Sequence, residues 1–286
     1  DRRMEVPVAI VTLIAPPGLK SFSGLQMHAP NPPLGLAYIA AAVREEGIQY
    51  TVVDAAGEAL DQVSPYPDRK DLMVQGLSTA QILERIPPAT DVVGLSCNFS
   101  TLWPIVRQIA EAVRGQFPKA LIVLGGEHGT AVPENVLKTS DFDVVVLGEG
   151  EETFVSVVRS WRQGSGFDAV EGIAYRVDGE IHCGSISNRI RNVNDIAPPD
   201  WASFPLEEYI ERHQINGVNI GRSMPILATR GCPYQCTFCS NPAMWTTRYI
   251  ARDPKLVVDE MEFYAREYGV SNFDFQDLTA IVKRRW

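Results

Sequence analysis

The sequence predicts an α/β protein whose first half is a five-stranded doubly wound parallel sheet. Three observations carry that expectation: five short runs of mostly Val, Ile and Leu recur along this half, segments of helical period separate them, and the runs end in loops rich in Gly, Pro, Ser or Asn. Strands buried on both faces read as continuous apolar runs, the mark of a parallel sheet covered by helices. With 286 residues, 45% hydrophobic and 21% charged, the chain has ample material for such a core and room for a second unit.

Taken in order, strands are expected at Val8 to Ile14, Tyr50 to Asp54, Val92 to Ser96, Ala120 to Leu124 and Val144 to Leu147. Helices fall between and after them, at Leu34 to Glu46, Thr79 to Ile86, Leu102 to Phe117, Pro133 to Thr139 and Glu151 to Arg162. From about Gly164 the rhythm changes to a hairpin turning at Asp178-Gly179, then to a connector punctuated by Pro198-Pro199 and Pro205. Strand and helix patterns resume with a strand at Pro225 to Thr229, a cysteine-rich loop, an amphipathic helix at Pro254 to Tyr268 capped by Asp253, and a strand at Asn272 to Gln276. The expected division is residues 1–164, a hairpin and linker over 165–222, and a second unit over 223–286.

Charge narrows the function. Lys plus Arg number 26 against 35 Asp plus Glu, net −9, and the longest basic stretch is Lys283-Arg284-Arg285, which argues against nucleic-acid binding. No apolar run approaches the roughly 18 residues of a membrane span. Val6 to Ile14, interrupted by Pro7, reads as a strand and not a signal peptide. Of five cysteines, three crowd into eight residues, a poor disulfide framework that fits a reducing cytoplasm.

In a doubly wound sheet, ligands bind at the loops outside the carboxyl ends of the strands. Those loops here hold Gly35, Ser96, Asn98, Gly125-Gly126-Glu127-His128 and Gly148-Glu149-Gly150-Glu151. Bare backbone admits a broad, flat ligand, whereas the plainer reading makes these glycines tight turns. Gly148-x-Gly150-x-x-Thr153 imitates a dinucleotide fingerprint, but on the wrong strand. Its Glu149, Glu151 and Glu152 suit a helix N-terminus and would repel a pyrophosphate. Trp103, Trp245 and Trp286 are read as packing residues.

The decisive stretch is Cys232-x-x-x-Cys236-x-x-Cys239. Three thiolates on one loop can hold three irons of a cubane whose fourth iron stays open to chelation by an amine and a carboxylate. Structural zinc competes and would need Cys183 or His213 as a fourth ligand. A disulfide with a spare thiol, or a buried apolar role, fits the exposed Gly231 and Pro233 turn less well.

With Phe238 just before the last cysteine, and with Arg230-Gly231-Cys232-Pro233, Pro32-Pro33-Leu34-Gly35-Leu36-Ala37-Tyr38, Gly125-Gly126-Glu127-His128, Gly148-Glu149-Gly150-Glu151 and Pro199-Asp200-Trp201, the sequence resembles radical S-adenosylmethionine enzymes carrying an N-terminal cobalamin-binding domain. The resemblance implies a flavodoxin-like cobalamin-binding first half and, from residue 223, the start of a (β/α) partial barrel. Only one helix and one strand follow Cys239, too few to close a barrel, so a truncated piece of a longer enzyme is expected. Cys232, Cys236 and Cys239 would hold a 4Fe-4S cluster, Phe238 would lie beside the adenine of S-adenosylmethionine, and Gln276-Asp277 would approach its methionyl amine. The Gly-rich strand ends named above would contact cobalamin. None of His28, His128, His182 or His213 lies in an Asp-x-His-x-x-Gly loop, so cobalt is not expected to take a histidine, although His128 is kept as a contact to the corrin or its tail.

The implied activity is methylation of an unactivated carbon through a 5'-deoxyadenosyl radical and methylcobalamin. A radical cyclase or oxidoreductase with the same cofactors is the alternative, and a non-catalytic corrinoid- or zinc-binding regulator is the reading from another class. Methylthiotransferases are disfavoured: they bring three further cluster cysteines, where this chain has only Cys97 and Cys183 to spare. The implied partners are a small-molecule or peptide substrate and a reductant such as flavodoxin or ferredoxin.

Overall fold

The computed structural model describes residues 10–21, 30–66, 69–186, 190, 192–215, 220–280 and 282. Val6, Pro7, Val8, His28, Lys283, Arg284, Arg285 and Trp286 lie outside the described residues.

β1 (Ile10–Ala15) leads through β2 (Gly18–Ser21) to α1 (Leu34–Glu45) and β3 (Gln49–Asp54). β4 (Val63–Tyr66), β5 (Arg69–Gln75) and α2 (Thr79–Arg85) follow. Next come β6 (Val92–Ser96), α3 (Trp103–Gln116), β7 (Leu121–Gly125), α4 (Glu127–Ala131), α5 (Pro133–Thr139), β8 (Val144–Val146) and α6 (Glu151–Gln163). The hairpin is β9 (Ile173–Val177) and β10 (Glu180–Cys183), and the connector holds α7 (Leu206–Glu211). The last part comprises β11 (Ser223–Ile226), β12 (Thr229–Arg230), α8 (Asn241–Met244), β13 (Ile250–Ala251), α9 (Pro254–Tyr268) and β14 (Asn272–Phe275).

The main sheet runs β10-β9-β8-β7-β6-β1-β3. Its five parallel strands are the expected five, in the flavodoxin-like order in which the second strand lies outside the first. One apolar layer packs α1 and α6 on one face, and another packs α2, α3 and α5 on the other. Val, Ile and Leu therefore face helices on both sides, which is why the strands read as unbroken apolar runs.

The structure differs from expectation in three places. The hairpin joins the sheet, β9 pairing antiparallel with β8 and covering what would have been an open edge, so the sheet has seven strands. A three-stranded antiparallel sheet, β2-β5-β4, fills a region read as loop; Pro65 and the charged Arg69-Lys70-Asp71 hide its pattern. The strand expected at Pro225 to Thr229 divides at Ile226: β11 pairs with β14, while Thr229 and Arg230 turn to pair with β13. Asp277 takes up the Ala228 N–H and the Thr229 hydroxyl at that break.

Among the described residues the last part has only a small core of its own, around Ile226, Ala228 and Val257. Met224, Tyr264 and Val270 belong to the same buried cluster as Val11, Ala37 and Phe154 of the first half. The connector ties the two together. Its Asp200 N–H donates to the Ala37 carbonyl at 3.0 Å, and its buried carboxylate accepts from Arg44 at 2.6 Å, from the Tyr50 hydroxyl and from Ser203. Next along, the Trp201 indole N–H donates to the Tyr264 hydroxyl of α9 at 3.1 Å, and that hydroxyl donates to Glu260 at 2.6 Å. α9 itself starts at a capping Asp253 with Pro254 in the first turn, and stops at Gly269, whose φ of 62° a side chain would resist.

A second staple is Asp54, buried at the end of β3. Its carboxylate accepts from the Gly57 N–H at 3.0 Å and from the Tyr209 hydroxyl of α7 at 2.9 Å. Burial outweighs these bonds and lifts its pKa to about 6. No described helix is long and apolar enough to cross a membrane.

Two expectations follow. Asp200→Ala strands three donors and is expected to lower the unfolding free energy by about 2–3 kcal/mol, the smaller value reflecting the solvent-exposed side of Arg44; denaturant titration measures it. The folded chain holds the Asp54 proton more tightly than the unfolded chain, so this group's contribution to stability is present at low pH and lost as pH rises from about 4 to about 6. Going from the ordinary 3.8 to about 6 corresponds to roughly 3 kcal/mol, so the melting temperature of Asp54→Asn should gain on that of the parent steadily across this window. A constant difference across the window would count against it.

Candidate functional site

The carboxyl ends of the parallel strands and the cysteine loop enclose one cavity of about 940 Å³. Its floor lies where the strand order reverses, between β1 and β6, as the doubly wound topology requires. Gly35, Ser96, Asn98, Gly125, Gly126 and Glu127 all line it, as do Gly148, Glu149, Gly150 and Glu151. A Cβ on Gly35 or Gly125 would meet nothing within 4 Å and would project into open space. Gly126 is required for a different reason: its φ is 103°, and a Cβ would sit 2.6 Å from the Cys97 carbonyl oxygen.

His128 does not line the cavity. α4 begins at Glu127, so the next side chain leaves the helix roughly 100° further round and turns behind the loop. There its Nδ1 lies 2.9 Å from the Ser100 hydroxyl and its ring lies 4.7 Å from Trp103. Burial holds its pKa below the usual imidazole range, and its Nε2 has no protein partner.

The cysteine loop faces the strand ends. Cys239 lines the cavity, and its sulfur accepts from the Asn241 N–H at 3.5 Å. Cys232 is half-buried, with the Thr279 hydroxyl donating to its sulfur at 3.1 Å. Hydrogen bonds of this kind stabilise a thiolate ligand. Cys236 is exposed, and Phe238 is 91% exposed, clear of the cavity wall. Among the described residues no three His, Cys, Asp or Glu side chains converge as ligands of a single ion. Cys183 sits instead on the outermost strand β10, and His213 lies against the Gly221 carbonyl. A cubane asks for thiolates around one cluster, each on a different iron, and not for three ligands on a single ion.

Gln276 reaches the cavity at the end of β14, whereas Asp277 does not. Its carboxylate is spent on Ala228 and Thr229, and burial pushes its pKa up despite those bonds.

The strongest electrostatic feature joins the two walls. Arg230 donates to Glu149 at 3.1 Å and to Glu151 at 2.5 Å, and all three side chains are buried. The guanidinium also lies over Tyr38, 5.3 Å from the ring centre, and over Trp245 at 5.7 Å. Burial alone would raise the Glu151 carboxyl, but the attraction of Arg230 overcomes it and holds the group below the usual carboxylate range. A smaller bridge runs from the Ser240 hydroxyl to Glu127 at 2.9 Å. Sequence reasoning missed Arg230, Tyr38 and Trp245 as one assembly. The available signal was a pair of glutamates at a helix start with no cation near them in sequence.

Comparison with known proteins agrees with this layout. Residues 25–158 match the B12 binding domain family. An uncharacterized methyltransferase of Pyrococcus horikoshii is 27% identical over 96% of the chain. An anaerobic magnesium-protoporphyrin IX monomethyl ester cyclase of Cereibacter sphaeroides is 30% identical over 92%, and a cytidylyl-2-hydroxyethylphosphonate methyltransferase of Streptomyces wedmorensis is 29% identical over 86%. The chain spans 54%, 40% and 50% of the lengths of these relatives. Among solved structures, the cobalamin-dependent S-adenosylmethionine radical enzyme OxsB superposes with a TM-score of 0.71 at 16% identity, covering 96% of this chain and 34% of that one. The radical S-adenosylmethionine methyltransferase TsrM of Kitasatospora setae superposes at 0.65 and 19% identity, covering 94% and 47%. Residues 25–158 thus match the B12 binding domain family, nearly the whole chain is similar to these methyltransferase and cyclase relatives, and it shares the fold of the two solved radical S-adenosylmethionine enzymes.

Proposed function

We propose that this chain is the cofactor-binding portion of a cobalamin-dependent radical S-adenosylmethionine C-methyltransferase acting on an unactivated carbon of a small molecule or peptide. One observation carries the reading: a single cavity is lined on one side by Gly-rich strand ends and on the other by Cys239. The residues suit both cofactors. Gly35 and Gly125 leave bare backbone against open space, fit for a broad corrin, and the sulfurs of Cys232 and Cys239 already receive hydrogen bonds suited to cluster ligands.

When bound, the 4Fe-4S cluster and S-adenosylmethionine supply one-electron cleavage of a carbon–sulfur bond, and the corrinoid supplies a methyl group. The chain's own part is to bind and orient. Cys232, Cys236 and Cys239 hold the cluster; Phe238, free of packing partners within the fold, covers the adenine; Gln276 faces the methionyl end from the cavity wall, with Asp277 fixing the turn beside it. The strand ends from Gly125 to Glu127 and from Gly148 to Glu151 would support the corrin, and His128, which lies behind the loop, is not among the residues facing it. A reductant such as flavodoxin or ferredoxin supplies the electron. The cyclase relative, 30% identical over 92% of the chain, supports a second reading in which the same cofactors drive ring closure.

Anaerobic reconstitution with iron, sulfide and hydroxocobalamin, followed by desalting, metal analysis and a visible spectrum, tests the assignment. Roughly four irons and one cobalt per chain are expected. Cys236→Ala should lose the iron and the reductive cleavage of S-adenosylmethionine while keeping the cobalt. Loss of both from a folded variant, or zinc in place of both, would refute the two-site reading. Product mass in the longer enzyme separates methylation, which adds CH2, from cyclisation.

A further inference from the structure

We propose that Arg230 is a positioning residue: by forking between Glu149 and Glu151 it sets the cysteine loop against the corrin-facing strand ends. The inference rests on the two-cofactor reading and concerns how the two sites are held in register.

Four groups fix one guanidinium. Glu149 and Glu151 hold it in its plane from the loop after β8 and from the start of α6. Tyr38 of α1 packs against it, as does Trp245, and Trp245 follows α8 at the far end of the cysteine loop. The loop is thereby gripped at its base: Arg230 stands two residues before Cys232, Trp245 six after Cys239. Asn241, 2% exposed, closes the same base by donating to the carbonyls of Cys232 and Thr246 at 3.2 and 3.3 Å. Outside the loop, its side chain bonds to Glu149 and Glu151 and stacks on Tyr38, all three of which line the cavity.

The chemistry argues for placement over mere cohesion. Burying an ion costs several kcal/mol, and well-packed apolar residues often hold a fold as well or better, so an interior arginine with two carboxylates is a poor device for stability alone. What it provides is direction. A planar fork bonded to two carboxylates fixes the arginine's position and its rotation together, which an ammonium on a flexible stem does not. The residues flanking Glu149 are Gly148 and Gly150, both on the cavity wall, so the fork anchors on the surface that supports the corrin.

Arg230→Lys keeps the charge and loses the fork. In the cofactor-free chain, hydrogen exchange of residues 231–246 is expected to quicken about tenfold while that of α1 stays unchanged. In the reconstituted protein, iron and cobalt contents should persist, but the electron-spin interaction between the reduced cluster and cob(II)alamin should change, because it falls steeply with distance. Unchanged exchange in 231–246, faster exchange throughout the chain, or an unchanged spin interaction would each overturn the proposal. The triple variant Arg230→Met, Glu149→Gln, Glu151→Gln removes all three charges and is expected to fold with the same loosened loop; wild-type exchange in it would also overturn the proposal. A parent chain that takes up neither iron nor cobalt would refute the functional reading instead, and the exchange comparison would still decide the role of Arg230.

Discussion

One guanidinium, enclosed by two carboxylates and two aromatic rings, holds the two walls of the cavity at a fixed separation. The rest of the architecture is consistent with that constraint. The Asp200 cluster binds the connector to α1 and β3, and the Trp201–Tyr264–Glu260 chain binds it to α9. The contacts are polar and at least partly buried, and those of Asp200 with Arg44 and Tyr50 and of Trp201 with Tyr264 join distant segments of the chain. Such networks specify one arrangement sharply, because any displacement leaves a buried donor or acceptor without a partner.

Topology decides where that arrangement is useful. In a doubly wound sheet the crevice opens at the carboxyl ends, next to the point where the strand order turns back. The connector carries the chain from the hairpin edge to α9 and β11, and the cysteine loop then lies over β7 and β8. Gly126, with its φ of 103°, lets the loop after β7 pass close against Cys97 and Asn98 just before Glu127 meets Ser240.

Much of this was legible in the sequence, for reasons that also explain the gaps. The five parallel strands were visible because burial on both faces leaves a continuous apolar run, and the cysteine spacing was visible because ligand geometry fixes it. β2, β4 and β5 were hidden because a small sheet exposed along β4 and the start of β5 tolerates Pro65 and Arg69-Lys70-Asp71. The partnership of Arg230 with Glu149 and Glu151 spans about eighty positions, and no local pattern encodes such a pairing. The glutamates were read for what they do to their own helix dipole; their larger role is to neutralise a distant cation. His128 shows the converse: it belongs to a motif that is on the wall, yet the helical turn starting at Glu127 carries it behind.

The shared core has a consequence for how such proteins diversify. Met224, Tyr264 and Val270 are packed into the layer that also holds Val11 and Phe154, and among the described residues the cysteine-bearing segment keeps only the small cluster of Ile226, Ala228 and Val257 to itself. It is not a cassette that recombination can move whole onto another corrin-binding sheet. A transplant would have to bring with it the glutamates after β8, the aspartate of the connector and the matching face of α1. Variation in this architecture is therefore channelled away from the seam and toward the open side of the cavity.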